Sequence, residues 1–370
     1  MRLGVDGREL RPGVRTGIGR YVLEVLRAAS RTGAPCTVYG DAGARLDAEL
    51  SGVLFTRLRA PWTPWWDQVS LPRALARDRI SVFLSPYYKA PLRAPCPVVL
   101  TIHDLDFIGY MGRRRPLYDA VVTRLARRYA ARAEAIVTDS EYSRRAIVAR
   151  LGVSSSKVSV IPVGLGAEFG PVPLTPAVTA RYGVAAPYIL CVGNFMPHKN
   201  LPRLIRAFAG LPDAQRRRHT LVLAGGQGDG RPALARLAAE LGVGDRVLFP
   251  GRVEDGDLPA LYAGAAAYVS PSLHEGFGAT VLEAMACGTP VAASNRAALP
   301  EVVADAGLLF DPECPRELAA TLGRVLSDAG LAAELRRRGL ARAALFTPER
   351  TSERVLALVR DVARRHERAP

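Results

Sequence analysis

Short apolar, β-branched runs alternate along this chain with longer stretches whose apolar positions recur at helical spacing. In the first half the runs fall at residues 3–5, 36–39, 82–84, 98–102, 135–138 and 158–161. In the second half they fall at 188–192, 220–223, 247–249, 268–270, 291–293 and 308–310. A strand that is apolar without alternation needs cover on both faces, and the intervening helical stretches supply it. The pattern therefore predicts parallel sheets flanked by helices. At 370 residues the chain exceeds the size at which one core stops growing, so two domains are expected. Pro171-Val-Pro-Leu-Thr-Pro176 stands between the two sets and is the candidate linker. The expected fold class is α/β, with two Rossmann-like domains facing a cleft, the first over 1–172 and the second over 173–348.

Sheets of this kind bind ligands outside the carboxyl ends of their strands, where Gly193, Gly225, His103 and Glu275 all fall. The most informative stretch is His274-Glu-Gly-Phe-Gly-Ala-Thr-Val-Leu-Glu283. It reads as a strand end, a Gly276-Phe277-Gly278 loop and a helix starting near Ala279. Glu275 then lies in the loop and Glu283 inside the helix, with Thr280 in its first turn. Backbone N–H groups between the two acids can bind an anion with help from the helix dipole. Two acids for hydroxyls and a helix end for phosphate describe a sugar nucleotide. Cys191-Val-Gly-Asn-Phe-Met-Pro-His-Lys-Asn200 adds Lys199 after a strand and Gly193, a point charge suited to pyrophosphate. The run Leu223-Ala-Gly-Gly-Gln-Gly-Asp-Gly230 is a further glycine loop at a strand end. In the first half, Arg15-Thr-Gly-Ile-Gly-Arg-Tyr21 is a glycine loop expected to close against the donor phosphates, with Gly17 and Gly19 allowing close backbone approach. His103 emerges from the apolar strand ending Leu100-Thr-Ile-His103, and Ser140 is placed to cap the helix after residues 135–138.

These motifs together resemble the retaining glycosyltransferases of family 4, which have the two-domain GT-B fold, over nearly the whole chain. The resemblance implies that Glu275 meets the donor sugar and that Glu283 binds the ribose hydroxyls. Residues 276–280 would meet sugar and pyrophosphate, and His103 would lie near the donor sugar. It also implies a C-terminal helix, about 349–370, packing back onto the first domain. The family usually carries Gly-Arg where this chain has Gly193-Asn194, so one expected phosphate cation is replaced. Arg252, in Phe249-Pro-Gly-Arg252, is the candidate substitute. Gly-Ile-Gly-Arg-Tyr, Ile-His-Asp and His-Lys-Asn look most like mannosyltransferases of polysaccharide or O-antigen assembly, which points to GDP-mannose and a glycan or lipid-linked acceptor. No cofactor and no metal are expected: the Asp104-Leu-Asp106 pair belongs with His103, away from the phosphate loop.

Composition adds location and competing classes. The apolar fraction of 49% excludes a disordered chain, and no run reaches the ~18–20 apolar residues of a membrane span. Met1-Arg-Leu-Gly-Val-Asp6 reads as a strand start and not as a signal peptide. Five cysteines without metal or disulfide spacing (36, 96, 191, 287, 314) read as small buried hydrophobes in a reducing cytosol. Residues 1–170 carry 26 basic and 15 acidic side chains, so most of the net charge of +15 lies there. Arg113-Arg-Arg115 precedes a helix with Arg124, Arg128 and Arg132 at i, i+4, and the tryptophans cluster in Pro61-Trp-Thr-Pro-Trp-Trp66. Indoles beside arginines suit the inner membrane face, where anionic lipid is met. A sugar-nucleotide epimerase on the same scaffold is the competing enzyme. A basic nucleic-acid-binding protein is the competing non-enzyme, but no recognition motif accompanies the pI of about 10.1.

Overall fold

The computed structural model describes residues 1–12, 16–105, 107–108, 116–226 and 230–368. Arg15 of the first glycine loop, Asp106, residues 113–115 and residues 227–229 of the later glycine run lie outside them. The chain forms two compact units. One is built from the described residues up to Gly164 and from Thr347 onward, and the other runs from Leu165 to Phe346.

The first unit contains β1 (Leu3–Asp6), β2 (Cys36–Gly40), β3 (Val53–Arg57), β4 (Val82–Ser85), β5 (Val98–Thr101), β6 (Ala135–Thr138) and β7 (Val158–Val160). They form one parallel sheet in the order β3-β2-β1-β4-β5-β6-β7. β1, β2, β4, β5 and β6 are buried along their whole length, as strands covered on both faces must be. β3, absent from the expectation, is the edge strand; its faces are half exposed, which is why Val53-Leu-Phe-Thr-Arg57 carries no continuous apolar signal.

Helix Gly17–Arg31 starts at Thr16, whose hydroxyl accepts the Gly19 N–H at 2.9 Å. Its buried face (Tyr21, Val22, Val25, Leu26, Ala29) shares a core with the strands and with helix Pro348–Glu367, which contributes Val355, Leu356, Val359 and Val362. Ser140 caps helix Glu141–Leu151 by accepting the Ser143 N–H, as its place after a strand predicts.

The second unit contains β8 (Tyr188–Gly193), β9 (Thr220–Gly225), β10 (Val247–Gly251), β11 (Ala267–Ser270), β12 (Val291–Ser294) and β13 (Leu308–Phe310). These six pair in parallel in the order β10-β9-β8-β11-β12-β13. The order reverses between β8 and β11, so the loops leaving these two strands diverge and open a crevice at the sheet's carboxyl edge. Pro171–Pro176 is an extended approach to helix Pro176–Tyr182 within this unit. Cys36, Cys96, Cys191 and Cys287 are buried, and burial pushes each thiol up to about 12. Cys314 is partly exposed.

Candidate active site

The crevice between β8 and β11 holds most of the residues singled out in the second half. β8 ends at Gly193, whose carbonyl accepts the Gly226 N–H at 3.1 Å. Gly225, at φ +111°, lies so close that a Cβ there would stand 2.1 Å from that carbonyl oxygen. Glycine is therefore required at Gly225 by both backbone conformation and space. Asn194 is exposed, and its Oδ1 accepts the Met196 N–H at 3.4 Å. The single turn Pro197–Lys199 then brings Lys199 back over the crevice, where its Nζ donates to Glu275 Oε1 at 2.7 Å. Ser272 donates its hydroxyl to the same oxygen at 2.6 Å.

The loop carrying Glu275 is held by its neighbours. Leu273 donates its N–H to the His198 carbonyl at 2.8 Å, and the Glu275 carbonyl accepts from Ala298 at 3.3 Å. Asn200, buried and at φ +58°, donates Nδ2 to the carbonyls of Pro271 (3.0 Å) and Pro312 (2.8 Å). One amide thus ties the turn after β8 to the loops after β11 and β13.

Gly276, Phe277 and Gly278 follow, all buried, and Gly278 at φ +105° is the N-cap of helix Ala279–Ala286. The first N–H groups of a helix have no intrahelical acceptor, and its dipole favours negative charge there. Ala279 is exposed at the start of this helix and Thr280 is half-buried. Glu283 lies one turn in, and its Oε2 accepts the Tyr262 hydroxyl at 2.8 Å. Burial, then the charge of Glu283, holds the Tyr262 phenol protonated. Tyr268, fully buried within β11, has its pKa raised by burial first, while its hydrogen bond with Thr280 opposes the shift.

Lys199, Glu275, residues 276–280 and Glu283 therefore form one constellation. Arg252 is exposed just after the edge strand β10, two strands away from β8 in the sheet. Ser272 and Tyr262 complete the constellation without having been expected. Ser272, three residues before Glu275, looked like ordinary loop polarity. Tyr262 sits in a short apolar helix, Leu258–Ala263, far from Glu283 in sequence.

In the first unit, Gly17 and Gly19 lie at the start of the helix after β1. A Cβ on Gly19 would stand 2.7 Å from the Glu9 carbonyl oxygen, so this glycine permits the close packing of helix start on loop. His103 follows β5. Its Nδ1 lies 2.7 Å from Asp139 Oδ2, and Tyr21 packs edge-on against the ring at 5.4 Å. Burial favours the neutral ring, but the charge and hydrogen bond of Asp139, with Asp104, outweigh it and raise the His103 pKa. Asp139 was not expected; it precedes a capping serine and looked like part of the helix start.

Two family models match the chain: Glycosyltransferase Family 4 over residues 15–169, and Glycosyl transferases group 1 over residues 183–342. The O-antigen chain mannosyltransferase B of Escherichia coli is 34% identical over 275 residues, 73% of this chain and 65% of that protein. The chain spans a smaller share, 32%, of another E. coli mannosyltransferase that it matches at 30% identity. The 2-deoxystreptamine glucosyltransferase of Streptomyces kanamyceticus is 32% identical over 286 residues, 72% of this chain and 73% of that protein. Among solved structures, the sucrose-phosphate synthase of Thermosynechococcus elongatus superposes with a TM-score of 0.79 at 24% identity, over 98% of this chain and 99% of that one. With parallel sheets of seven and six strands and both halves matched in turn, the chain belongs to glycosyltransferase family 4 and has the GT-B fold.

Proposed function

We propose that this glycosyltransferase is a retaining, metal-independent hexosyltransferase that takes mannose from GDP-mannose and places it on a hydroxyl of a glycan or lipid-linked acceptor in cell-surface polysaccharide synthesis. The observation that carries the reading is the meeting of Lys199, Glu275 and the N-terminus of helix Ala279–Ala286 at the carboxyl edge of β8 and β11. A diphosphate there gains a point charge and unpaired helix N–H groups, which stabilise charge on the departing nucleotide. Glu275 contacts the donor sugar, and Glu283 binds the ribose hydroxyls. Gly193, Asn194 and residues 276–280 line the donor subsite, with the second unit, Leu165–Phe346, as the donor-binding domain. His103, Gly17 and Gly19 belong to the acceptor-side domain, the first unit with its returning C-terminal helix Pro348–Glu367. Retention follows by front-face displacement within an ion pair, by analogy with the family, with Glu275 holding the donor sugar and not attacking it. Mannose is favoured because the relative with 34% identity is named a mannosyltransferase.

We further infer a site of action at the cytoplasmic face of the membrane. Trp66 is buried, whereas Trp62 and Trp65 are exposed, and helix Pro116–Arg132 exposes Leu117, Tyr118 and Val121 on the segment that also carries Arg124 and Arg128. Among the described residues no helix is long and apolar enough to cross a membrane.

The test of the transferase reading is a thermal shift with GDP, UDP, ADP and dTDP, with and without EDTA. A shift with GDP that survives EDTA is expected. A shift with another nucleotide would replace the donor, loss of the shift in EDTA would overturn metal independence, and no shift at all would overturn the donor site.

A further inference from the structure

The pair His103–Asp139 is built by the sheet. β5 and β6 run parallel with Thr101 opposite Val137, and Ile102 continues the ladder by donating to the Val137 carbonyl at 2.8 Å. Two residues beyond Thr101 and Val137 the chain reaches His103 and Asp139, which meet side by side at 2.7 Å. Ser143 donates its hydroxyl to the His103 carbonyl at 3.1 Å, and the Tyr21 ring stands perpendicular to the imidazole, its own hydroxyl 3.0 Å from Thr101 Oγ1. The ring is thus held along its backbone, on one edge and at Nδ1. Asp139 directly precedes Ser140, the N-cap of helix Glu141–Leu151, so the helix start fixes its backbone.

An acceptor-only carboxylate at Nδ1 demands that Nδ1 carry the proton. Nε2 is then the nitrogen left for other work, and among the described residues it is buried with no hydrogen-bond partner, as is Asp139 Oδ1. A buried polar atom without a partner is costly and calls for an explanation. An oxygen of a bound substrate would supply the partner for Nε2.

We propose that Asp139 is a positioning residue: it fixes His103 with Nδ1–H toward its own carboxylate, so that Nε2 is the nitrogen offered to an oxygen of a bound substrate. The inference rests on the reading of His103 as a substrate contact. The ionised groups that act on the imidazole are Asp139 and Asp104, with the Tyr21 phenol against its edge. Both carboxylates favour the protonated ring, in which Nε2–H donates; at higher pH Nε2 becomes an acceptor.

The test uses the full chain and the nucleotide sugar matching the base found by thermal shift. Imidazole 15N signals are followed against pH in the wild type, Asp139→Asn and His103→Gln; the chain has five histidines, so loss of one set in the last variant assigns His103. In the wild type, Nδ1–H should persist and the ring should titrate above the ordinary value near ~6.5. In Asp139→Asn the titration should fall and the tautomer preference should be lost. Release of nucleoside diphosphate should drop on the order of 10–100-fold in kcat with donor KM little changed, as for a misplaced group, and Asp139→Glu should recover part of it. An unchanged His103 titration in Asp139→Asn, or an unchanged kcat, overturns the proposal. Unchanged turnover in His103→Gln instead overturns the substrate role of His103, while the 15N signals still report whether Asp139 holds the ring.

Discussion

Glu275 is held by two donors on one oxygen, Lys199 and Ser272, so its position is set before a ligand arrives. Positioning of this kind matters because misplacing a reacting group by about 1 Å can cost 10²-fold in rate. Glu275→Gln keeps the shape and removes the charge; turnover should fall by about 10²–10³-fold while nucleoside diphosphate affinity stays within a few-fold. Glu283→Ala should instead raise the donor KM, by roughly the tenfold that 1.4 kcal/mol represents, with kcat less affected. Steady-state kinetics on both variants separates the roles, and an unchanged kcat in Glu275→Gln would remove Glu275 from the reaction. The sign of the His103 shift sets a companion expectation for stability. Its folded pKa is raised, so the stabilisation from Asp139 is complete below about 6.5 and is lost as pH rises through the folded value. The melting difference between wild type and Asp139→Asn should therefore narrow at alkaline pH. Glu275, Lys199 and Glu283 were legible as residues because charge beside glycine at a strand end is unusual chemistry. Ser272, Tyr262 and Asp139 were not, since each is an ordinary residue type whose partner is fixed by packing.

At the scale of elements, the segments buried on both faces announced themselves. Twelve strands of the described residues coincide with apolar runs read from the chain, to within a residue or two at their ends. β3 escaped because an edge strand with Leu54 exposed has no need of a continuous apolar run. The loops depend on single latches that periodicity cannot reveal. Asn200 joins the turn Pro197–Lys199 to two other loops through two hydrogen bonds from one buried amide. Asn200→Ala would leave two carbonyls without donors and place a less tolerant residue at φ +58°. A loss of about 2–4 kcal/mol is expected from unsatisfied groups, read as a lower Tm. Weaker protection of the amides at 272–275 from hydrogen exchange should accompany it. Full retention of that protection would show that the loop is held by other contacts.

For the whole molecule, the chain returns to its first unit at the end: helix Pro348–Glu367 buries Val355, Leu356, Val359 and Val362 against the core that holds Val22 and Val25 of helix Gly17–Arg31. The charge excess of the first 170 residues and the exposed Trp62, Trp65, Leu117 and Tyr118 lie in this unit. Binding to anionic vesicles should follow if these groups meet lipid together. Flotation with phosphatidylglycerol vesicles should recover the protein, phosphatidylcholine vesicles should not, and raised salt should weaken the binding. Exchanging Arg124 and Arg128 for Gln should weaken vesicle binding roughly 30-fold, at about 1 kcal/mol per cation. Equal recovery on neutral vesicles would discard the electrostatic part of the reading, and no recovery on anionic ones would discard the membrane itself.

The sequence by itself determined the α/β class and set its charged and glycine-rich motifs on the loops that leave the carboxyl ends of the strands. Burial on both faces leaves its mark in consecutive residues, and glycine beside charge is readable locally. Tertiary structure alone decided that Lys199 reaches Glu275, that Tyr262 meets Glu283 and that Asp139 stands behind His103. Each depends on strand order and register. In a parallel sheet these bring together the loops of neighbouring strands however far apart they lie in the chain.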